Sequence, residues 1–306
     1  MWAYDAPGGR RYELFACVRC GLEFWDPRTE DRSFYEAEHS GGYDRFHSGV
    51  LVERPAHDEF LARPSPSGPA RLLDIGCGNG SFIRRAQQRG YEVWGIDFDR
   101  RSVDAARNAF GLDNVFVLSV DGLREKFSDT QFDVITCFEV LEHLPDPVGF
   151  LRNVAGLLKR DGTFAGSVPN AEREFASFDR HVEAHDMPPH HFTWWSPRSL
   201  GRLLETSGFG PERMAGVGAL TLPEYVRHIR TYVLLAPLLR ALRSRTGQAS
   251  GGPAEPPQPT RRSVPVRVGR AACLTAAVPL ALGTYRSHNR SGKTLYFEAS
   301  LQRPSS

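Results

Sequence analysis

Short apolar runs alternate with segments of helical period from residue 71 to residue 217, and the alternation predicts the elements. Arg71–Ile75 reads as a strand, Ser81–Arg89 as a helix stopped by Gly90, and Tyr91–Ile96 as a buried strand closed by Asp97. A helix follows over residues 100–110 with Val103, Ala106 and Phe110 inward, then a third strand over Asn114–Leu118. Gln131–Phe138 is the fourth strand, and its nearly continuous apolar character suits a parallel sheet covered on both faces. A helix over Pro147–Leu158, a strand over Gly162–Val168, a helix over Pro197–Ser207 ended by Gly208 and a strand over Phe209–Val217 complete the series. Strand and helix in turn at this spacing predict an α/β fold with a doubly wound sheet.

Between the first strand and its helix stand Gly76, Gly78 and Gly80. Glycine permits positive φ and carries no Cβ, so the chain can turn sharply and bare N–H groups can meet a ligand at the helix start. An acid at the tip of the second strand, Asp97, is placed to accept both hydroxyls of a ribose. A lone GxGxG also fits dinucleotide enzymes or a purely steric turn. The longer string LLDIGCGNG, with Asp74 ahead of the turn and the third glycine two residues after the second, resembles the first motif of the class I S-adenosylmethionine (SAM)-dependent methyltransferases, and that turn spacing argues against an NAD-dependent dehydrogenase. The resemblance implies a seven-stranded Rossmann-like sheet whose last strand inserts antiparallel, and Thr294–Leu301 has the alternation for it. It also implies SAM as cofactor, bound by Asp74, Gly76, Cys77, Gly78, Asn79, Gly80, Asp97, Phe98, Val120, Asp121, Gly122, Phe138 and Glu139, with Asp121 accepting from the adenine amino group.

Beyond the fourth strand, FEVLEH spaces Glu139, Glu142 and His143 as i, i+3 and i+4, which on one helical turn share a face at the carboxyl edge of the sheet. Three readings stay open. Glu139, Glu142 and His143 suit a divalent metal that lowers the pKa of an acceptor hydroxyl, as the resemblance to ubiquinone-pathway O-methyltransferases and small-RNA 2′-O-methyltransferases implies, with a further ligand from His190 or His191. Metal-free base catalysis by His143, His190 or His191 is the second, and a purely structural role for the trio is the third.

The flanks have a different texture. Residues 1–69 hold Cys17 and Cys20 as one CxxC, half of a zinc ribbon; with no second pair, ligand count argues against bound zinc and for a metal-free hairpin remnant. FYEAEHSGGYDRFHSG reads as a helical lid, and residues 62–70 as a linker into the core, residues 70–219. Residues 220–292 are an insertion: two apolar segments, 222–245 and 264–286, joined by a low-complexity linker expected to be disordered; residues 293–306 return to the last strand and tail.

Charge changes the picture only at the C-terminal end. The net charge is +2, yet residues 227–303 hold 13 Lys and Arg against two acids, Glu255 and Glu298. A near-neutral core with a basic end points to an anionic surface or substrate there. Residues 271–285 carry no charge but are too few to span a bilayer, whereas Val226, Ile229, Val233 and Leu234 form a stripe flanked by arginines, as in a helix lying on an anionic membrane; packing on the core fits the same pattern. An odd number of cysteines, five, and an N-terminus without a signal peptide point to a reduced cytoplasmic protein, in contact with the inner face of the membrane. The acidic balance of the core argues against nucleic acid. The sequence therefore points to SAM-dependent methyl transfer, to oxygen of a small or lipid-linked acceptor. Its rival is a non-catalytic SAM- or nucleotide-binding module that docks a partner or membrane through the insertion.

Overall fold

Side chains that alternate in chemistry along each strand sort onto two faces of one sheet, and the two faces carry separate cores. The computed structural model describes residues 2–6, 9–29, 47–176, 186–230, 284–285 and 291–302. In chain order its elements are β1 (Trp2–Asp5), β2 (Arg11–Ala16), β3 (Glu23–Asp26), α1 (Pro55–Leu61), β4 (Ala70–Ile75), α2 (Ser81–Gln88), β5 (Tyr91–Asp97), α3 (Arg100–Phe110), β6 (Val115–Val117) and α4 (Leu123–Lys126). They continue with β7 (Phe132–Phe138), α5 (Pro147–Leu157), β8 (Leu158–Pro169), β9 (Thr193–Trp194), α6 (Pro197–Thr206), β10 (Phe209–Val217), α7 (Leu222–His228) and β11 (Thr294–Leu301).

Seven strands form the main sheet in the order β10-β11-β8-β7-β4-β5-β6. The pairs β7–β8, β4–β7, β4–β5 and β5–β6 are parallel, while β11 runs antiparallel to both β8 and β10. On one face Leu73, Ile75, Ile135, Cys137, Phe164 and Phe297 pack under α5 and α6; on the other Leu72, Val134, Ala165 and Tyr296 pack with buried residues of α1, α2 and α3. This period of two, repeated in four central strands, requires cover on both faces. The order reverses between β4 and β7, so the segments that leave their carboxyl ends diverge and open a crevice there.

A second sheet, β1-β2-β3-β9, joins the N-terminal hairpin to the segment after β8. Glu23 and Phe24 of β3 pair with Trp194 and Thr193, and Trp25 N–H donates to the Phe192 carbonyl. The expected N-terminal remnant is thus part of a four-stranded sheet whose last strand comes from residues some 170 positions later, a pairing that local pattern does not announce. Cys17 and Cys20 lie half-buried in the β2–β3 turn as free thiols. The helix α1 was not expected from its composition, while residues 34–46 of the expected lid lie outside the described residues.

The chain divides into two compact units, residues 1–171, 188–218 and 294–306, and residues 172–187 with 219–293. In the second, Phe175, Leu220, Tyr225 and Ile229 are buried together with Val226 and Tyr285 against them. Val226 and Ile229, two members of the apolar stripe, therefore face a core; Val233 and Leu234 and the apolar run 271–283 lie outside the described residues. Among the described residues no helix is long and apolar enough to cross a membrane.

Gly166 sets the spacing of the central strands. A Cβ there would lie 2.1 Å from the Cys137 carbonyl oxygen and 2.9 Å from the Phe297 ring. Gly166→Ala should therefore lower stability by about 1–3 kcal/mol, read as a lower urea midpoint. Gly201→Ala in α6, whose Cβ would meet only the Met214 methyl at 3.8 Å, should raise it by roughly 0.5–1 kcal/mol.

Candidate active site

The glycine turn after β4 is built as its composition requires. Gly76, Gly78 and Gly80 have φ of 75°, 53° and 78°. The N–H groups of Gly76 and Cys77 both donate to the Ile96 carbonyl, at 2.9 and 3.0 Å, which fastens the turn to the end of β5. A Cβ on Gly76 would stand 2.6 Å from Val140, so the turn is tight against the β7 exit as well.

Asp97 closes β5 beside this turn. Its carboxylate accepts from Gly78 N–H at 2.8 Å on one oxygen and from Asp99 N–H at 2.9 Å on the other. Burial still pushes its carboxyl up to about 6, against the pull of those N–H groups. Asp74, at the end of β4, is buried and accepts from the Thr136 hydroxyl at 2.7 Å. Burial raises it to about 8, the Thr136 hydroxyl opposes, and the charge of Asp97 adds to the rise. Buried carboxyls that interact are costly to ionise, and a positively charged ligand at the turn would relieve both.

Asn79 is buried and hydrogen-bonded to the segment ahead of α1. Its amide nitrogen donates to the Ser48 and Val50 carbonyls, both at 2.9 Å, and its oxygen accepts from the Ser81 hydroxyl at 2.6 Å. Val52 N–H donates to that hydroxyl, and His47 Nε2 lies 2.7 Å from Asp99 Oδ2. Residues 47–52 are thereby strapped across the glycine turn. Phe98 is exposed at the tip of β5; Val120, Asp121 and Gly122 form a 3-10 turn after β6, with Asp121 exposed.

The β7 exit differs from the helical turn that the spacing suggests. Glu139 has φ of 57°, a left-handed backbone that ends β7, and only Leu141–His143 form a 3-10 turn. Glu139 is thus not on a common helical face with Glu142 and His143. Its carboxylate accepts from the Ser167 hydroxyl at 2.7 Å, and its N–H donates to the Ser167 carbonyl at 2.8 Å. A left-handed residue that is not glycine is strained, and strain of this kind gathers at functional sites.

What the exit does bring together is histidine. The His143 ring centroid lies 4.7 Å from that of His190 and 4.9 Å from that of His191, and the last two stack at 4.6 Å. His143 Nδ1 is 2.7 Å from the His190 carbonyl, which can only accept, so Nδ1 carries a proton, and the ring also hydrogen-bonds to the Glu139 backbone. That Nε2 lies 3.8 Å from the carboxylate of Glu142, which is fully buried. Burial and then the charge of His191 push His143 down to about 3, so it is a neutral imidazole at ordinary pH.

Comparison with known proteins fits this geometry. The family model described as a methyltransferase domain matches residues 52–212, more than half of the chain. The chain belongs to the class I SAM-dependent methyltransferase family. It is 39% identical over 97 residues to a ubiquinone biosynthesis O-methyltransferase of Neisseria meningitidis, spanning 41% of that relative, and 29% identical over 175 residues to one of Chromobacterium violaceum, spanning 75% of it. Its fold is similar to a chain of the Haloferax volcanii complex between the Trm112 methyltransferase activator and the methyltransferase named beside it, with a TM-score of 0.54, 17% identity and coverage of 90% of this chain and all of that one. The cofactor of the family is SAM.

Two residues that the sequence pattern did not single out act on these groups or lie near them. The charge of Arg54, just ahead of α1, acts on His57, Asp74 and His143 alike. His57 packs against Phe82 and Phe138, at 5.1 and 4.7 Å between ring centroids, with Nδ1 buried and unpartnered among the described residues. Nothing in the sequence pattern marked Arg54 or His57.

Burial, then the charges of Arg54 and Arg85, push His57 down to about 3 from 6.5. The unfolded chain then binds more protons below pH 6.5, so stability falls as pH drops from about 6.5 toward 3, by up to about 1.4 kcal/mol per pH unit. His57→Leu should shrink the stability lost between pH 7 and pH 4.5 by about 2–3 kcal/mol, measured by urea unfolding at both values. An unchanged difference would show that His57 titrates as it does in the unfolded chain.

Proposed function

We propose that this methyltransferase moves the SAM methyl group to an oxygen of a small-molecule acceptor. The convergence of the glycine turn, Asp97 and a buried histidine cluster on one sheet edge carries the reading. SAM supplies an activated methyl on a sulfonium, so the chain's task is to align the acceptor, exclude water and take up one proton.

The two ends of the crevice divide that task. Gly76, Gly78 and Gly80 would let the cofactor lie against backbone, Asp97 would accept from the ribose hydroxyls with its remaining lone pairs, and Val120, Asp121 and Gly122 would receive the adenine. Asp74 favours the cationic end of the cofactor, while the Arg54 guanidinium suits its carboxylate. At the β7 exit, His143, His190 and His191 would face the acceptor, where the hydroxyl proton is lost. Glu142 beside His143 would stabilise positive charge gathered there. A pure binding module has no use for such a cluster, and this favours the enzyme over a non-catalytic role.

The acceptor we favour is a small molecule, lipid-linked in keeping with the basic C-terminal segment, with the protein working at the inner face of an anionic membrane. The relatives named for ubiquinone biosynthesis support oxygen as the methylated atom.

Calorimetry tests the cofactor half. Asp97→Asn should weaken SAM binding by about 2 kcal/mol, roughly 30-fold. Because Asp74 sits at about 8 in the free protein, binding of the SAM cation at pH 7 should expel a proton, seen as a binding enthalpy that differs between phosphate and Tris. Unchanged affinity in the variant would remove Asp97 from the site, and identical enthalpies would remove Asp74. The histidine half separates in kinetics: His190→Gln and His191→Gln should retain SAM affinity and lose turnover.

A further inference from the structure

The motif at the β7 exit resembles sites in which two glutamates and a histidine hold a hard divalent ion, and the geometry does not assemble that set. Glu139 is itself a left-handed residue, and its carboxylate accepts from the Ser167 hydroxyl. Among the described residues, the group of His, Cys, Asp or Glu side chains whose donor atoms all lie within 4.8 Å of one another is His143, His190 and His191. It includes neither glutamate.

We infer that these three histidines form a three-imidazole site for a transition-metal ion such as zinc, cobalt or iron(II), in place of the carboxylate-rich magnesium-type site that the motif suggests. Three observations carry it. First, spacing: an ion about 2.1 Å from each nitrogen sets the nitrogens roughly 3.4 Å apart, so atoms already within 4.8 Å need only small ring movements to close on it. Second, orientation: His143 Nδ1 lies 2.7 Å from the His190 carbonyl, an outer-shell contact of the kind that fixes the rings of metal-bound histidines. Third, charge: the buried Glu142 carboxylate, 3.8 Å from His143 Nε2, offsets a divalent cation without having to bind it.

The donor set then selects the ion. Imidazole nitrogen suits zinc, iron, cobalt, nickel and copper, whereas magnesium and calcium require oxygen. His190 and His191 are adjacent yet stack at 17° because they follow the turn that precedes β9, where the strand's alternation has not begun. Both are buried, at 8% and 7% exposure. The use of such an ion, to lower the pKa of an acceptor hydroxyl, rests on the methyl-transfer reading; its binding does not.

The test is a cobalt titration of the full chain carrying Cys17→Ser and Cys20→Ser, which removes the thiols as a competing site. Co²⁺ should bind one per chain with the visible ligand-field bands of a nitrogen-rich site, Zn²⁺ should displace it and millimolar Mg²⁺ should not. His190→Gln and His191→Gln should each weaken binding by more than about tenfold, and Glu139→Gln should leave it unchanged. Absence of a cobalt spectrum, binding indifferent to both histidine variants, or binding lost with Glu139→Gln would overturn the inference. Should the histidine variants not fold, X-ray absorption of the zinc-loaded serine variant decides: three imidazoles per zinc are expected, and fewer would refute it. SAM calorimetry on the same preparation keeps the two claims apart. Cobalt without SAM would sink the methyltransferase reading alone, and SAM without cobalt the metal site alone.

Discussion

The hydrogen bond from Gly78 N–H to the Asp97 carboxylate joins the two segments on which the site is built, the turn after β4 and the tip of β5. It forms because Gly78 takes a positive φ, which turns its N–H toward the neighbouring strand. The same turn abuts Val140 on the β7 exit, so the spacing of three strand ends depends on the absence of a Cβ at Gly76. Acids that no ordinary core tolerates, Asp74 and Asp97, are held there with raised pKa values. A cationic ligand bound there would offset that cost in folding free energy.

On the other side of the crevice the constraint is the opposite one. The β7 exit buries imidazoles, and it positions them through backbone: the His190 carbonyl for His143, and Phe192 N–H to the Glu142 carbonyl at 2.8 Å for the segment as a whole. The N-terminal sheet completes the support, since β3 pairs with β9 just after the histidines. A hairpin that carries no site residue thus fixes the register of the segment that does.

Much of the fold was legible because the central strands are short apolar runs and because Gly90 and Gly208 mark the ends of α2 and α6. The seven strands of the main sheet fall within a few residues of their expected bounds, and the antiparallel β11 was readable from TLYFEASL. The glycine turn and its two acids were legible too, since their chemistry is local. Three things were not. Asn79 sits in the motif yet spends its amide on residues 48 and 50, a tertiary contact that no spacing reveals. Glu139, Glu142 and His143 looked like a helical face because i, i+3 and i+4 share one only if the backbone is helical, and Glu139 is left-handed. The second sheet escaped notice because β3 and β9 meet across the whole length of the core domain, whereas the meeting of His143 with His190 and His191 was legible, since both segments return to the same edge of the sheet.

The central claim is that one crevice holds the cofactor at the glycine turn and the acceptor at the histidines. A crystal structure with S-adenosylhomocysteine tests it most directly. The account predicts ribose hydroxyls on the Asp97 carboxylate, adenine against Val120–Gly122 and the thioether sulfur turned toward His143, His190 and His191. A product seated with its ribose away from Asp97, or with its sulfur turned away from the histidines, would contradict it.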